Sequence, residues 1–262
     1  MIKRTFIDMN ALKSAYKFLL CVFALVTALS CVSDPEAIAQ SLIDQSIQAH
    51  GQERLLTHDI DFRFRDKHYA LQRGKNGYVY ERVFVRQQDS ITDRLYSNGS
   101  FERLINEQHI QLPDSTKLSY SNSLNSVMYF FQLPYVLNDP AAIKRFKGPA
   151  VVQGRPHFVV EVTFEQEGGG TDYEDAFRYW FDAETLKMNY LAYRYHTNGG
   201  GVRFRVATNR KSYSGLWVQD YDNFAPPSKA VPLDSLPSLW QLGALQKVSR
   251  IAQEEVQVLA RN

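Results

Sequence analysis

Cysteine is nearly absent: the 262 residues hold two, Cys21 and Cys31. Beyond position 31 there is none, which excludes a cysteine nucleophile, a Cys-ligated zinc site and a disulfide framework for the body of the chain. Charge of either sign is not in excess, with 30 Lys or Arg against 28 Asp or Glu and a net charge of +2. That balance gives no electrostatic case for nucleic acid. Long apolar runs are missing too. The uncharged stretch Phe18 to Ser30 spans 13 residues, short of the ~20 needed to cross a bilayer as a helix. There is no Gly-x-Ser-x-Gly elbow and no dinucleotide fingerprint. No alternation of strands with helices suggests a (β/α) barrel carrying a lysine Schiff base.

What is present at the N-terminus reads as an address. Lys3, Arg4, Lys13 and Lys17 precede the uncharged stretch, against one acid, Asp8. Charge followed by a short apolar segment is the pattern of a signal peptide. Ser30 stands directly before Cys31, as in a bacterial lipobox, whose cysteine is acylated and becomes the new N-terminus. The expected division is therefore a signal peptide at 1–30 and a single domain at 31–262. Removing the four basic residues and the one acid of the leader turns the net charge from +2 to −1. The expected location is the cell envelope, at the outer membrane on its periplasmic or surface face.

Asp34-Pro35 suits a helix start, a capping residue followed by a proline in the first turn. Ile38, Leu42, Gln45 and Ala49 share a face, with Ile43 and Ile47 alongside, and His50-Gly51 ends the helix. The period then becomes two. Ile60, Phe62 and Phe64 alternate with Asp61, Arg63 and Arg65. The same alternation recurs in 158–165, 177–182 and 202–207. Turn signals at 74–77, 98–99, 154–156 and 198–201 separate these runs, which predicts antiparallel strands with one apolar face. Residues 119–146 break the pattern and read as a helical insertion. The segment 242–259 fits a helix or a mainly exposed strand.

Several residues carry candidate chemistry. Gly168-Gly169-Gly170, with Asp172 and Asp175 after it, suits either a hairpin loop or an ion site at a rim. Asn198-Gly199-Gly200-Gly201 is a second such loop, and a hairpin between the two brings them to one rim. Arg63, Arg65, Arg82, Arg103, Arg203, Arg205 and Arg210 recur in or beside strands. They either face water, paired with acids such as Glu81 or Asp93, or line a cavity and hold a carboxylate or phosphate head. Because Arg203 and Arg205 alternate with Phe204, they are expected at the outer surface or rim. The six histidines show no metal-ligand spacing, so no metal or other cofactor is implied.

Aromatics are abundant, with 16 Phe, 15 Tyr and 3 Trp. Strands 78–86 and 188–196 are apolar on both faces. Such strands need two covering layers, or one layer and a cavity. Helix 35–50 and the insertion are the expected cover.

Further segments support a resemblance. They are Asp61-Phe62-Arg63-Phe64-Arg65-Asp66, Tyr78-Val79-Tyr80-Glu81-Arg82, the run Asn125 to Pro140, the run Val162 to Asp172, Tyr190-Leu191-Ala192-Tyr193 and Gly200 to Arg205. Together they are similar to a Bacteroidetes family of uncharacterised lipoproteins, DUF6503, related to LolA-like lipoprotein carriers. Gln52 departs from the family's usual His-Gly-Gly at 50–52. The resemblance implies a mainly β fold: a curved antiparallel sheet, or half-barrel, with an N-terminal helix and a helical insertion covering the concave side. It also implies that 244–258 is the final strand, and it supplies no activity. The expected function is a lipid-anchored module that binds or carries an apolar or amphipathic ligand. Its candidate contacts are Tyr80, Arg82, Asn125, Tyr129, Phe130, Tyr135, Asp172, Asp175, Arg203 and Arg205. The alternatives are an enzyme using the Asp/Arg rim and an interaction lipoprotein without a small ligand.

Overall fold

Alternating apolar residues do form strands, and the strands form two sheets. The computed structural model describes residues 34–75, 77–167 and 174–261. Cys31 and the leader lie outside the described residues, as does Asp172. Helix α1 (Pro35–Ala49) comes first. Six strands follow: β1 (His58–Phe64), β2 (Lys67–Gly74), β3 (Gly77–Arg86), β4 (Asp89–Tyr96), β5 (Phe101–Ile105) and β6 (Gln108–His109). Helix α2 (Asp114–Phe131) and a 3-10 turn (Tyr135–Asn138) interrupt them. Six more are β7 (Ala142–Val152), β8 (Arg155–Phe164), β9 (Ala176–Asp182), β10 (Met188–Tyr195), β11 (Gly201–Tyr213) and β12 (Leu216–Ala225). Helix α3 (Leu236–Gln241), β13 (Gln246–Ile251) and β14 (Glu254–Ala260) complete the order.

The first sheet runs β14-β1-β2-β3-β4-β5-β6 and the second β13-β12-β11-β10-β9-β8-β7. All pairings are antiparallel, as short connections require. The two sheets share one polypeptide edge. β13 pairs with β12, the chain breaks pattern at Ala252-Gln253, and β14 pairs with β1. The C-terminal segment is thus strand, but not the single final strand over 244–258 that the resemblance implied: it breaks at 252–253 into β13 and β14, which carry the chain from one sheet to the other.

Helix α1 buries Ala39, Leu42, Ile43, Ser46 and Ile47. The buried stripe is rotated from the expected one, and Gln45 is exposed. The stripe packs on Val160, Val162, Tyr179, Phe181 and Leu191, which are the concave face of the second sheet. Gly51 follows at φ 64°, and a Cβ there would lie 2.0 Å from the Gly215 carbonyl oxygen. Only glycine permits that approach together with that backbone.

The opposite face of the second sheet is also covered, as the two-sided strand 188–196 requires, although the alternation at 177–182 and 202–207 shows only one apolar face. Trp180, Tyr190, Ala192, Val202 and Phe204 pack beneath Leu233, Leu236 and Leu245. Arg178 Nε donates to Asp234 at 2.8 Å, and Arg194 donates to the Val231 carbonyl at 3.0 Å, fastening this outer layer. Among the described residues the first sheet has no equivalent cover, and Val85 is 68% exposed. The expected two-sided burial of strand 78–86 is therefore corrected. Its inner face holds Tyr80 and Arg82, while Val79 and Val83 are only half-buried.

The helical insertion is shorter and earlier than 119–146. It starts at Asp114, after Pro113, and residues 142–146 belong to β7. Basic and small residues of that edge strand alternate in exposure, which masked its period. Among the described residues, no helix is long and apolar enough to cross a membrane.

Candidate functional site

Helix α2 is apolar on two faces, and each meets a different sheet. Leu124, Met128 and Phe131, at helical spacing, pack with Phe62, Tyr69, Leu71 and Tyr80 of the first sheet. The Phe131 ring stacks on Phe62 with centroids 4.0 Å apart. Tyr129 and Phe130 point toward the second sheet. The Tyr129 hydroxyl lies 3.0 Å from that of Tyr179, and Phe130 sits 5.3 Å from the Tyr193 ring. Burial raises the pKa of both Tyr129 and Tyr179, so each hydroxyl remains a neutral hydrogen-bonding group.

Toward the polar end, Arg82 and Arg103 share Asp93, which is fully buried, with N···O distances of 2.6 Å each. Arg82 also donates to Ser123, and Arg103 lies 3.7 Å from the Tyr120 ring centroid. This cluster locks α2 to the first sheet.

Between α2 and the second sheet is a cavity of about 410 Å³. Tyr78 and Tyr80 reach it from β3, and Asn125, Ser126, Tyr129 and Phe130 from α2. The sheet side supplies Phe164, Phe177, Tyr193 and Tyr195. Phe177 stacks on Tyr193 at 5.6 Å. Arg203 and Arg205 of β11 complete the wall, with Asp139, Asp175 and Thr197 at the rim.

A smaller chamber of about 180 Å³ adjoins it, sharing Ser126, Phe130 and Arg205. Arg65, Asn223, Ser249 and Gln253 give this chamber its polar lining. Three of its polar atoms are buried without a hydrogen-bond partner among the described residues: Arg205 Nε, Asn223 Oδ1 and Gln253 Oε1.

The residues just before β9 and just after β10 meet at one rim. Asp175 Oδ1 accepts from the His196 backbone N–H at 3.1 Å, and its distance to His196 Nδ1 is 3.3 Å. Of the residues singled out from sequence, Tyr80, Asn125, Tyr129, Phe130, Asp175, Arg203 and Arg205 come together at the larger cavity. Arg82 does not, because Asp93 holds it. Tyr135 does not line it either; its ring faces the Arg73 guanidinium at 5.2 Å.

The placement of Arg203 and Arg205 corrects the expectation of an outer or rim position. They do oppose Phe204, but Phe204 belongs to the covered outer layer, so the arginines face inward. Phe177, Tyr193 and His196 were missed as cavity or rim residues. Counting back from the 197–200 turn pairs Tyr193 with Arg203 and Tyr195 with Gly201, a signal available in the sequence. Gly201 has its own constraint: a Cβ there would lie 2.6 Å from the Tyr195 hydroxyl oxygen. Among the described residues, no cluster of His, Cys, Asp or Glu is arranged to hold a metal.

These features define a class: a mainly β protein whose curved antiparallel sheets and central helix enclose an aromatic cavity. The chain belongs to the family of unknown function DUF6503, whose profile matches residues 13–253. A comparison with curated proteins finds no match. Among solved structures, the chain is similar to a DUF1329 family protein from Desulfovibrio piger, at 10% identity and a TM-score of 0.45, covering 86% of this chain and 93% of that one. It is also similar to a LolA superfamily protein from Nitrosomonas europaea, at 11% identity and 0.40, covering 86% and 94%. A putative outer membrane lipoprotein-sorting protein domain from Vibrio parahaemolyticus matches at 10% identity and 0.39, covering 82% and 93%.

Proposed function

We propose that this protein binds an apolar or amphipathic ligand in the cavity between α2 and the second sheet, as a carrier or binding module of the cell envelope. The observation that carries this reading is the cavity itself. Its volume of about 410 Å³ falls within the ~300–1,000 Å³ of small-ligand sites, and aromatic walls with a few converging polar groups are their usual lining. Tyrosines suit such a role because each ring offers apolar area and a polar handle.

In this reading Tyr80, Asn125, Tyr129 and Phe130 contact the ligand body, while Asp175, Arg203 and Arg205 set its polar end. Asp172 belongs to the same rim loop in sequence. The chain is held to a membrane by acyl groups on Cys31, one chain alone being a marginal anchor. The anchor is tested by Cys31→Ala, which should abolish incorporation of labelled palmitate. Incorporation in that variant would rule Cys31 out.

Native mass spectrometry of the protein extracted from its own membranes tests the ligand. A retained mass of a few hundred daltons, lost on denaturation, is expected. A bare polypeptide that also fails to take up the neutral dye Nile red would sink the reading and favour an interaction lipoprotein.

One observation favours a second reading, an enzyme. The Asp175–His196 contact at 3.3 Å orients an imidazole at the cavity rim, the arrangement used for proton transfer. Hydrolysis of a long-chain p-nitrophenyl ester, abolished by His196→Ala at unchanged Tm, would support it. Absence of turnover in the unaltered protein would exclude that ester chemistry.

A further inference from the structure

Resting on the ligand-binding reading above, we infer that the ligand is a single-chain amphiphile with an anionic head, and that Arg205 holds the head. Four buried arginines differ in their partners. Arg82, Arg103, Arg178 and Arg205 are each at most 9% exposed. Arg82 and Arg103 share Asp93, and Arg178 pairs with Glu161 and Asp234. Arg205, 7% exposed, has no carboxylate partner among the described residues.

Its side chain donates from NH2 to the Tyr193 hydroxyl, at 2.8 Å, and its Nε has no partner among the described residues. The guanidinium carbon lies 3.7 Å from the Phe130 centroid and 5.1 Å from that of Tyr193. Aromatic faces attract a cation but do not neutralise it. A buried charge without a counter-charge is costly, so the position is suited to an acid that arrives with the ligand.

Location sets the rest of the ligand. Arg205 is part of the wall of both the aromatic cavity and the smaller polar chamber. A head placed on its free N–H edge lies where the two spaces adjoin, with the chain running along Phe130, Tyr193 and Phe177. The guanidinium fork matches a carboxylate or a phosphate, and the unpaired oxygens of Asn223 and Gln253 suit a hydroxyl or water carried in with the head. At about 410 Å³ the cavity is near the small end of ligand sites, which favours one chain over a multi-chain lipid.

The experiment is displacement of Nile red from the full-length chain by palmitate, hexadecyl phosphate and hexadecanol, three sixteen-carbon probes. At least one acid is expected to act at a concentration about tenfold or more below that of the alcohol. Arg205→Gln should weaken the acids far more than hexadecanol and so abolish this preference, and Arg205→Lys should retain part of it. Whichever acid acts at the lower concentration identifies the head as carboxylate or phosphate. Equal displacement by acids and alcohol overturns the inference but leaves an apolar-ligand cavity standing. So does a preference that survives Arg205→Gln at unchanged Tm. If Arg205→Gln does not fold, the unaltered protein and Arg205→Lys decide. Failure of Nile red and all three probes to bind overturns the ligand-binding reading itself.

Discussion

The hydroxyls of Tyr129 and Tyr179 lie 3.0 Å apart, joining helix α2 to the middle of the second sheet beneath the cavity. Each is the other's partner, and Tyr179 is fully buried. Tyr129→Phe strands the Tyr179 hydroxyl and should cost about 1–3 kcal/mol, because an unpaired buried polar group bears its full desolvation penalty. Adding Tyr179→Phe should recover much of that loss. Urea unfolding of the two single variants and the double variant reads the coupling directly. Additive losses would show that the hydroxyls do not act as a pair.

Gln52 clamps the segment that follows α2. Its Nε2 donates to the Leu133 carbonyl at 2.8 Å, and its Oε1 accepts from the Tyr135 N–H at 2.7 Å. Gln52→Ala leaves both backbone groups without these partners, and a loss of about 1–3 kcal/mol is expected. Hydrogen exchange at Tyr135 should accelerate more than exchange in β9. Unchanged protection at Tyr135 would contradict the clamp.

Asp93 joins two buried arginines on the first sheet. Asp93→Asn leaves two guanidinium charges facing a neutral amide. Breaking a buried pair from one side typically costs about 3–5 kcal/mol. The first sheet and α2 should loosen together, read as a fall in Tm with loss of Nile red binding. A stability change below about 1 kcal/mol would mean that solvent reaches the cluster.

His50 supplies a pH dependence. Its Nδ1 is 2.8 Å from the Ser46 carbonyl oxygen, and burial lowers its pKa from 6.5 to about 4. Arg210 and Lys187 lower it further. Between pH 4 and 6.5 the unfolded chain binds the proton and the folded chain does not, so stability is present above pH 6.5 and declines as pH falls toward 4. The contribution lost is about 3 kcal/mol. Melting temperature across this window should fall less steeply in His50→Leu than in the unaltered protein. Parallel slopes would assign the pH dependence to other groups.

Much of the fold is legible because one buried face imposes period two, and Ile60, Phe62, Phe177, Tyr179 and Phe181 all obey it. The outer layer is harder to see. Leu233, Leu236, Leu239 and Trp240 lie in a segment broken by prolines, where neither the helix period nor the strand period persists. That gap propagated to the site: without knowledge of the outer layer, the Phe204 side reads as the only core side, and Arg203 and Arg205 are sent outward. Tyr129 and Phe130 were recognisable because so many aromatics in an insertion require cover. The pairing of Arg82 with Asp93 was one of two open readings, since alternation does not reveal which acid lies across the ladder.

Filling the cavity tests ligand binding there without touching the arginines. Ser126 lies on an exposed turn of α2 and lines both chambers, so Ser126→Trp places an indole in the space assigned to the ligand. Nile red binding is expected to fall at least about tenfold while Tm stays within a few degrees of the unaltered protein. Undiminished binding by the folded variant would contradict it, because the dye would then occupy some other part of the molecule.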